Sequence, residues 1–195
     1  MIKLLKPITT SILCKIFKLK YYGKDMSIIS FGNLLNDKKN MLSFSNDISE
    51  VKNKIIIQKS KKKSKYSTII LSRNPRLLFC EIINYFIINK QIITQYKKNR
   101  IHPSVKIQDL SILGNNIIIE KNCIIEPGAK IFSNVVIKKN SIIRSGAIIS
   151  GHGFGYERDR LMKPIKFPQF GSVLIKENAH IGNNTCIVKS TFDKT

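Results

Sequence analysis

Between Ile101 and Ile149 an aliphatic residue stands at every sixth position: Ile101, Ile107, Leu113, Ile119, Ile125, Ile131, Ile137, Ile143 and Ile149. Four places after the first eight of these comes a small or aliphatic residue, namely Val105, Ser111, Ile117, Cys123, Ala129, Val135, Ser141 and Ala147. A helix repeats its faces every ~3.6 residues and a strand every second residue, so neither alone produces a strict period of six. A hexapeptide β-helix does, because three short strands of about six residues each complete one triangular coil. The aliphatic residue points into the prism and the small one fits beside it near the corner. Nine hexads make three coils.

The register fails after Ile149 and resumes at Ile175, Ile181 and Ile187, with Ala179, Thr185 and Thr191 at the small positions. The displacement of 26 residues is not a multiple of six, so something is looped out between Ser150 and Val173. A long excursion from a regular solenoid is a natural place for a binding site, because the scaffold holds it rigidly. Gly151, Gly153 and Gly155 would let backbone approach a ligand closely, and Phe154 and Tyr156 offer flat faces. A packed structural flap is the other reading of the same segment.

Ahead of the repeat the pattern changes character. Residues 7 to 20 read as a short amphipathic helix, capped by Thr9, Thr10 or Ser11. Strands are expected at Met26 to Phe31, Met41 to Phe44, Ile55 to Ile57 and Thr68 to Leu71. After Asn74-Pro75, the apolar spacing from Arg76 to about Ile88 is that of an amphipathic helix. The expected organisation is therefore an α+β domain over residues 1–90, a linker at 91–100, and a left-handed parallel β-helix over 101–195. That β-helix would have about four coils and one inserted loop at 150–173.

Composition excludes some functions and leaves others open. The net charge of +22 could serve nucleic acid, an anionic membrane surface or an acidic carrier protein. Lys, Ile and Asn are abundant throughout, however, which favours compositional drift over nucleic-acid binding. The lysine run at 59–65 has no aromatic before Tyr66 and reads as a solvated loop. Cys14, Cys80, Cys123 and Cys186 form no CxxC pair, arguing against zinc and against a disulfide framework. Cys123 and Cys186 fall in the hexads and read as packing residues. His102, beside Pro103 in the first coil, reads as structural. No apolar run reaches the ~20 residues of a spanning helix, and no cleavable leader is evident, so a cytoplasmic location is expected.

Three segments carry a more specific likeness. His152-Gly153-Phe154-Gly155-Tyr156, Lys166-Phe167-Pro168-Gln169-Phe170-Gly171 and Ile181-Gly182-Asn183-Asn184-Thr185-Cys186-Ile187 together resemble the UDP-3-O-acylglucosamine N-acyltransferases of lipid A synthesis. That family has a D-G-F-G-[FY] loop, a K-I-P-Q-x-G return and an E-I-G-A-N-T-T-I-D-R-G-A-L-x-D-T segment. The final Ser190-Thr191-Phe192-Asp193-Lys194-Thr195 lines up with the close of the third segment. Leu42-Ser43-Phe44-Ser45-Asn46 looks like the family's S-F-L-x-N stretch, and Asn74-Pro75 to Phe79 like its N-P-x-x-x-[FY] helix start. The likeness covers essentially all 195 residues. The chain departs from it at His152 and Val188, where relatives have Asp, and at Lys189-Ser190-Thr191, which replaces R-G-A.

The resemblance implies transfer of a 3-hydroxyacyl group from acyl carrier protein to the 2-amine of UDP-3-O-acylglucosamine, in a homotrimer, with no cofactor and no metal. It implies substrate contacts at Phe44, Asn46, Phe154, Gly155, Tyr156 and Gln169, with Phe44 stacking the uracil and Asn46 hydrogen-bonding it. The family's general base is a histidine in an A-H-N hexad that falls beyond Thr195, so no catalytic residue is assigned among these residues. His102, His152 and His180 do not occupy its place. The alternative expectation is a catalytically silent, truncated remnant that keeps the trimeric scaffold and UDP-sugar binding.

Overall fold

The computed structural model describes residues 2–35, 38–45, 52–60, 66–93 and 97–195. The described chain is mostly short strands in parallel sheets, with two helices. It forms two compact units, one of Met1–Ile93 with Gly155–Pro168, the other of Thr94–Phe154 with Gln169–Thr195.

In the second unit three four-stranded parallel sheets are built from strands two to four residues long. Their registers repeat the hexad columns. Ile101, Ile119, Ile137 and Ile175 pair in sequence across the first sheet. Ile107, Ile125, Ile143 and Ile181 pair across the second, and Leu113, Ile131, Ile149 and Ile187 across the third. Each aliphatic residue thus lies against the one 18 positions away, three hexads per coil, which fits a parallel β-helix. The last step is 38 positions instead of 18, so the fourth coil is reached after 20 extra residues.

The interior follows from that register. Ile125, Ile131, Ile137, Ile143 and Ile149 are fully buried, together with Cys123, Ala129, Val135 and Ala147 from the small-residue column. Burying each isoleucine side chain stabilises the coil by about 1.5–3 kcal/mol. Ile101 and Ile107 in the first coil are 36% and 42% exposed, because among the described residues no coil is stacked before theirs.

A second column marks the turns. The residue three places after each aliphatic position adopts positive φ at Leu110, Asn116, Asn122, Gly128, Asn134, Asn140, Gly146, Asn178 and Asn184. Asn and Gly tolerate this left-handed region best. The asparagines also form ladders between coils. The Asn122 amide donates to Asn140 Oδ1 (3.3 Å), and Asn140 donates to Asn178 Oδ1 (3.1 Å). Asn116 donates to Asn134 Oδ1 (2.9 Å) in the neighbouring ladder. Charges bridge coils similarly, with Glu120 paired to Lys138 (2.6 Å) and Glu126 to Arg144 (2.9 Å).

The first unit holds β1 (Ile2–Thr9), α1 (Thr10–Ile16), β2 (Tyr21–Tyr22), β3 (Ser27–Phe31), β4 (Met41–Phe44), β5 (Ile55–Gln58), β6 (Thr68–Leu71) and α2 (Pro75–Ile88). The strands form one sheet in the order β1-β3-β4-β5-β6-β2, parallel from β3 to β6 and antiparallel at both flanks. All four residues of β5 are buried, as expected of a central strand covered on both faces. Asn74 caps α2 by accepting from the Leu77 N–H (3.2 Å), and Pro75 occupies the first turn, where its missing N–H costs nothing. Leu78, Phe79, Ile82, Ile83 and Phe86 form the buried stripe of α2.

Residues 7 to 20 are not one helix. Ile2 and Leu4 are buried while Lys3 and Leu5 are exposed, the period-two pattern of a strand, and β1 continues to Thr9. Pro7 lies where the β1–β3 register slips between Lys3 and Ile8. A proline without an N–H is tolerated at such an irregularity. The helix is shorter, starting at Thr10 after the Thr9 cap. Among the described residues no helix is long and apolar enough to cross a membrane.

Candidate functional site

Within the second unit, hydrogen bonds join the start of the insertion to its return, and the return to residues 190–193. Lys189 N–H donates to Gly151 O (3.1 Å), joining the fourth coil to the strand that leads into the insertion. Gly153 N–H donates to Gln169 Oε1, joining the start of the insertion to its return. The return then lies along the end of the chain: Phe170 N–H donates to Thr191 O (2.8 Å), Gly171 N–H to Ser190 O (3.0 Å) and Ser172 N–H to Asp193 O (2.9 Å).

Two glycines make this junction possible. A Cβ on Gly153 would lie 2.7 Å from Gln169 Nε2 and 3.2 Å from Val188 Cγ2. A Cβ on Gly171 would lie 2.5 Å from the carbonyl oxygens of both Ser190 and Asp193. Gly171 therefore requires glycine for space, because the atoms in the way are backbone, whereas at Gly153 the end of the Gln169 side chain would have to shift. Phe154 projects from the junction at 96% exposure.

The remainder of the insertion belongs to the first unit. Tyr156–Arg158 and Pro164–Lys166 form an antiparallel hairpin, with Tyr156 opposite Lys166. Phe167, buried, stacks against Phe79 with centroids 6.3 Å apart. Phe44 is half-buried and packs against Phe79 (5.0 Å) and Phe167 (6.3 Å). The Arg76 guanidinium lies over the Phe167 ring at 5.2 Å and pairs with Glu157 at 2.5 Å. Cys80 Sγ and the Asn84 amide both donate to Lys166 O. Phe44, Phe79, Phe167 and Arg76 thus form one cluster, and the hairpin's return strand is fixed to α2. Asn46 lies outside the described residues, as do positions 61–65 of the lysine run.

The histidines are dispersed. His102 Nδ1 accepts from Ser104 N–H (3.2 Å) and lies 2.9 Å from Ser104 Oγ, which turns the first coil. His180 is exposed on a fourth-coil strand, paired with Ile142. His152 is exposed at the start of the insertion. Among the described residues no group of three or more His, Cys, Asp or Glu side chains could hold a metal ion.

The cysteines divide by burial. Burial pushes the Cys14 and Cys80 thiols up to about 11, helped by Asp25 and by Glu157 respectively. Burial also raises Cys123. Cys186 is exposed, contrary to its reading as a packing residue. In Cys186–Val188 the side chains alternate, so Ile187 turns toward the interior and both its neighbours turn out. Thiol titration of the native protein is expected to show one fast-reacting cysteine, Cys186, and three that react only on unfolding. C186S should remove the fast phase; a fast phase surviving in that variant would contradict the packing of the other three.

The sequence reading missed the cluster of Phe79 and Phe167 around Phe44. Phe79 is visible in sequence as part of the apolar stripe of α2, but nothing in the spacing brings Phe167 to it. The Asn-or-Gly turn column was a legible signal, since it repeats with the same period of six. No protein-family model matches the chain.

Proposed function

We propose that the chain is an N-acyltransferase scaffold acting on UDP-3-O-acylglucosamine, with acyl carrier protein as acyl donor. One observation carries this reading: the Gly151–Phe154 start of the insertion, its Gln169–Ser172 return and the Lys189–Asp193 segment are hydrogen-bonded to one another. The first two of these segments carry residues that resemble the acyltransferase motifs, Gly153 to Tyr156 and Lys166 to Gly171; the pairing of Gly151 with the last coil follows from the coil register. The same reading makes the coil left-handed, the first unit an α+β uridine-binding domain and the assembly a homotrimer.

In the reaction the sugar 2-amine attacks the thioester carbonyl carbon, forming the C–N bond. The carrier thiolate leaves, and a base takes the amine proton. A base of near-neutral pKa and N–H donors aimed at the oxyanion would lower the barrier. The resemblance puts the base in a hexad beyond Thr195, so the residues here supply the sugar-nucleotide side. Phe44 would stack the uracil, and Phe154, Gly155, Tyr156 and Gln169 would contact the sugar and its acyl chain.

Equilibrium titration tests this. Saturable binding of UDP-3-O-acylglucosamine is expected, competed by UDP and weakened by F44A and by Q169A. Absence of saturable binding, or stronger and salt-sensitive binding to random duplex DNA, would overturn the reading.

A further inference from the structure

The hairpin in the insertion ends in an apolar tip with a basic collar. Leu161 and Met162 are 76% and 65% exposed. Arg158, Arg160 and Lys163, which flank them, are also exposed. The tip is closed by its own hydrogen bonds: Asp159 Oδ1 accepts from the N–H groups of Leu161 and Lys163, both at 2.8 Å. Asp159 N–H donates to Lys163 O (3.0 Å), Met162 N–H to Asp159 O (3.1 Å) and Arg158 Nη1 to Met162 O (3.1 Å). The base is anchored as well, by Glu157 on Arg76 and by Lys166 O on α2.

Two large apolar side chains held this way in water are not explained by packing, since nothing in the unit covers them. We propose that the hairpin tip inserts into the surface of an anionic lipid bilayer, with Leu161 and Met162 in the acyl boundary and Arg158, Arg160 and Lys163 among the headgroups.

Shape and charge both favour that occupant. A stable protein partner must cover roughly 1,000 Å² or more with matched contours, and a two-residue tip on an open hairpin supplies no such surface. A bilayer needs no matched contour; it accepts apolar side chains at the acyl boundary and attracts cations to anionic headgroups. Nucleic acid would engage the cations but leave Leu161 and Met162 in water, and the tip has no aromatic on which a base could stack. The acidic groups nearby do not cancel the collar. With the Asp159 carboxylate counted, Arg158 to Lys163 still carry a net charge of +2. Glu81 on α2 lies within the field of Arg160 and offsets part of that charge, but Arg158 and Lys163 remain. The whole chain, at +22, adds long-range attraction to the same surface. This proposal does not depend on the acyltransferase reading.

The test is co-sedimentation of the full chain with phosphatidylcholine vesicles, with and without about one third phosphatidylglycerol. Binding is expected only to the anionic vesicles. The pair L161S and M162S together should lower partitioning at least about thirtyfold, and each cation changed to Gln should lower it about fivefold. The denaturation midpoint of these surface variants should be unchanged. The chain contains no tryptophan, so L161W provides a single reporter whose emission should shift to the blue on anionic vesicles. No binding to anionic vesicles would overturn the proposal. So would binding unchanged by L161S with M162S, an unshifted L161W emission, or capture of duplex DNA in preference to vesicles.

Discussion

Ile143→Ala is expected to destabilise the coiled unit by about 2–5 kcal/mol, while Ile107→Ala in the same column should cost substantially less. Both residues stand at hexad positions in the second sheet, two coils apart. Their surroundings differ: Ile143 is fully buried between the coils of Ile125 and Ile181, whereas Ile107 is 42% exposed. Truncation at 143 removes three carbons and leaves a cavity that the stacked backbone cannot close, because each strand is hydrogen-bonded on both sides. Truncation at 107 removes atoms that already meet water. Urea denaturation of the two variants decides it, and equal losses would contradict the stacking order.

The second large effect is expected at Gly171. Gly171→Ala should destabilise the junction by about 1–3 kcal/mol, an overpacking cost that no rotamer can relieve, since the added atom meets backbone. The two carbonyls in its way cannot retreat without loss. Ser190 O accepts from the Gly171 N–H and Asp193 O from the Ser172 N–H, so moving either breaks the bonds that hold the return segment to the end of the chain. Amide exchange at Phe170 and Ser172 should accelerate in the variant while exchange at Ile125 and Ile131 stays slow. Unchanged exchange at Phe170 and Ser172 would show that the junction is looser than its geometry.

The parts of this fold legible in sequence are those set by a repeated local rule. The nine aliphatic positions from Ile101 to Ile149 give the period of six directly, and the observed 18-residue register follows because three hexads close a coil. The break after Ile149 was equally legible, since 26 is not a multiple of six. What the inserted residues do was less so. The hairpin of Tyr156–Arg158 with Pro164–Lys166 is only three residue pairs long. Its turn depends on the Asp159 side chain more than on any alternation of apolar residues. Phe167 reaches Phe79 across 88 positions of sequence, a contact that no local pattern encodes. The first helix is shorter than its apolar spacing suggests, because Pro7 to Thr9 are drawn into the β1 strand by pairing with β3, which no local pattern encodes. Cys186 was misassigned by one residue of phase, enough in a strand to turn a side chain from interior to solvent.

The candidate site shows the same division. Phe154, Gly155, Tyr156 and Gln169 are conspicuous in sequence because they interrupt a regular repeat. That Gln169 accepts the Gly153 N–H, and that Phe170 to Ser172 lie along Thr191 to Asp193, is tertiary information.

Amide hydrogen exchange with and without saturating UDP-3-O-acylglucosamine tests the central claim most directly. If the insertion and its return carry the sugar-nucleotide site, protection should appear at Phe154 to Tyr156 and at Gln169 to Ser172. A further change should appear at Phe44 and Ser45, and exchange in the coils around Ile119 to Ile131 should stay unaltered. Protection confined to other parts of the chain, or none at saturation, would contradict the assignment.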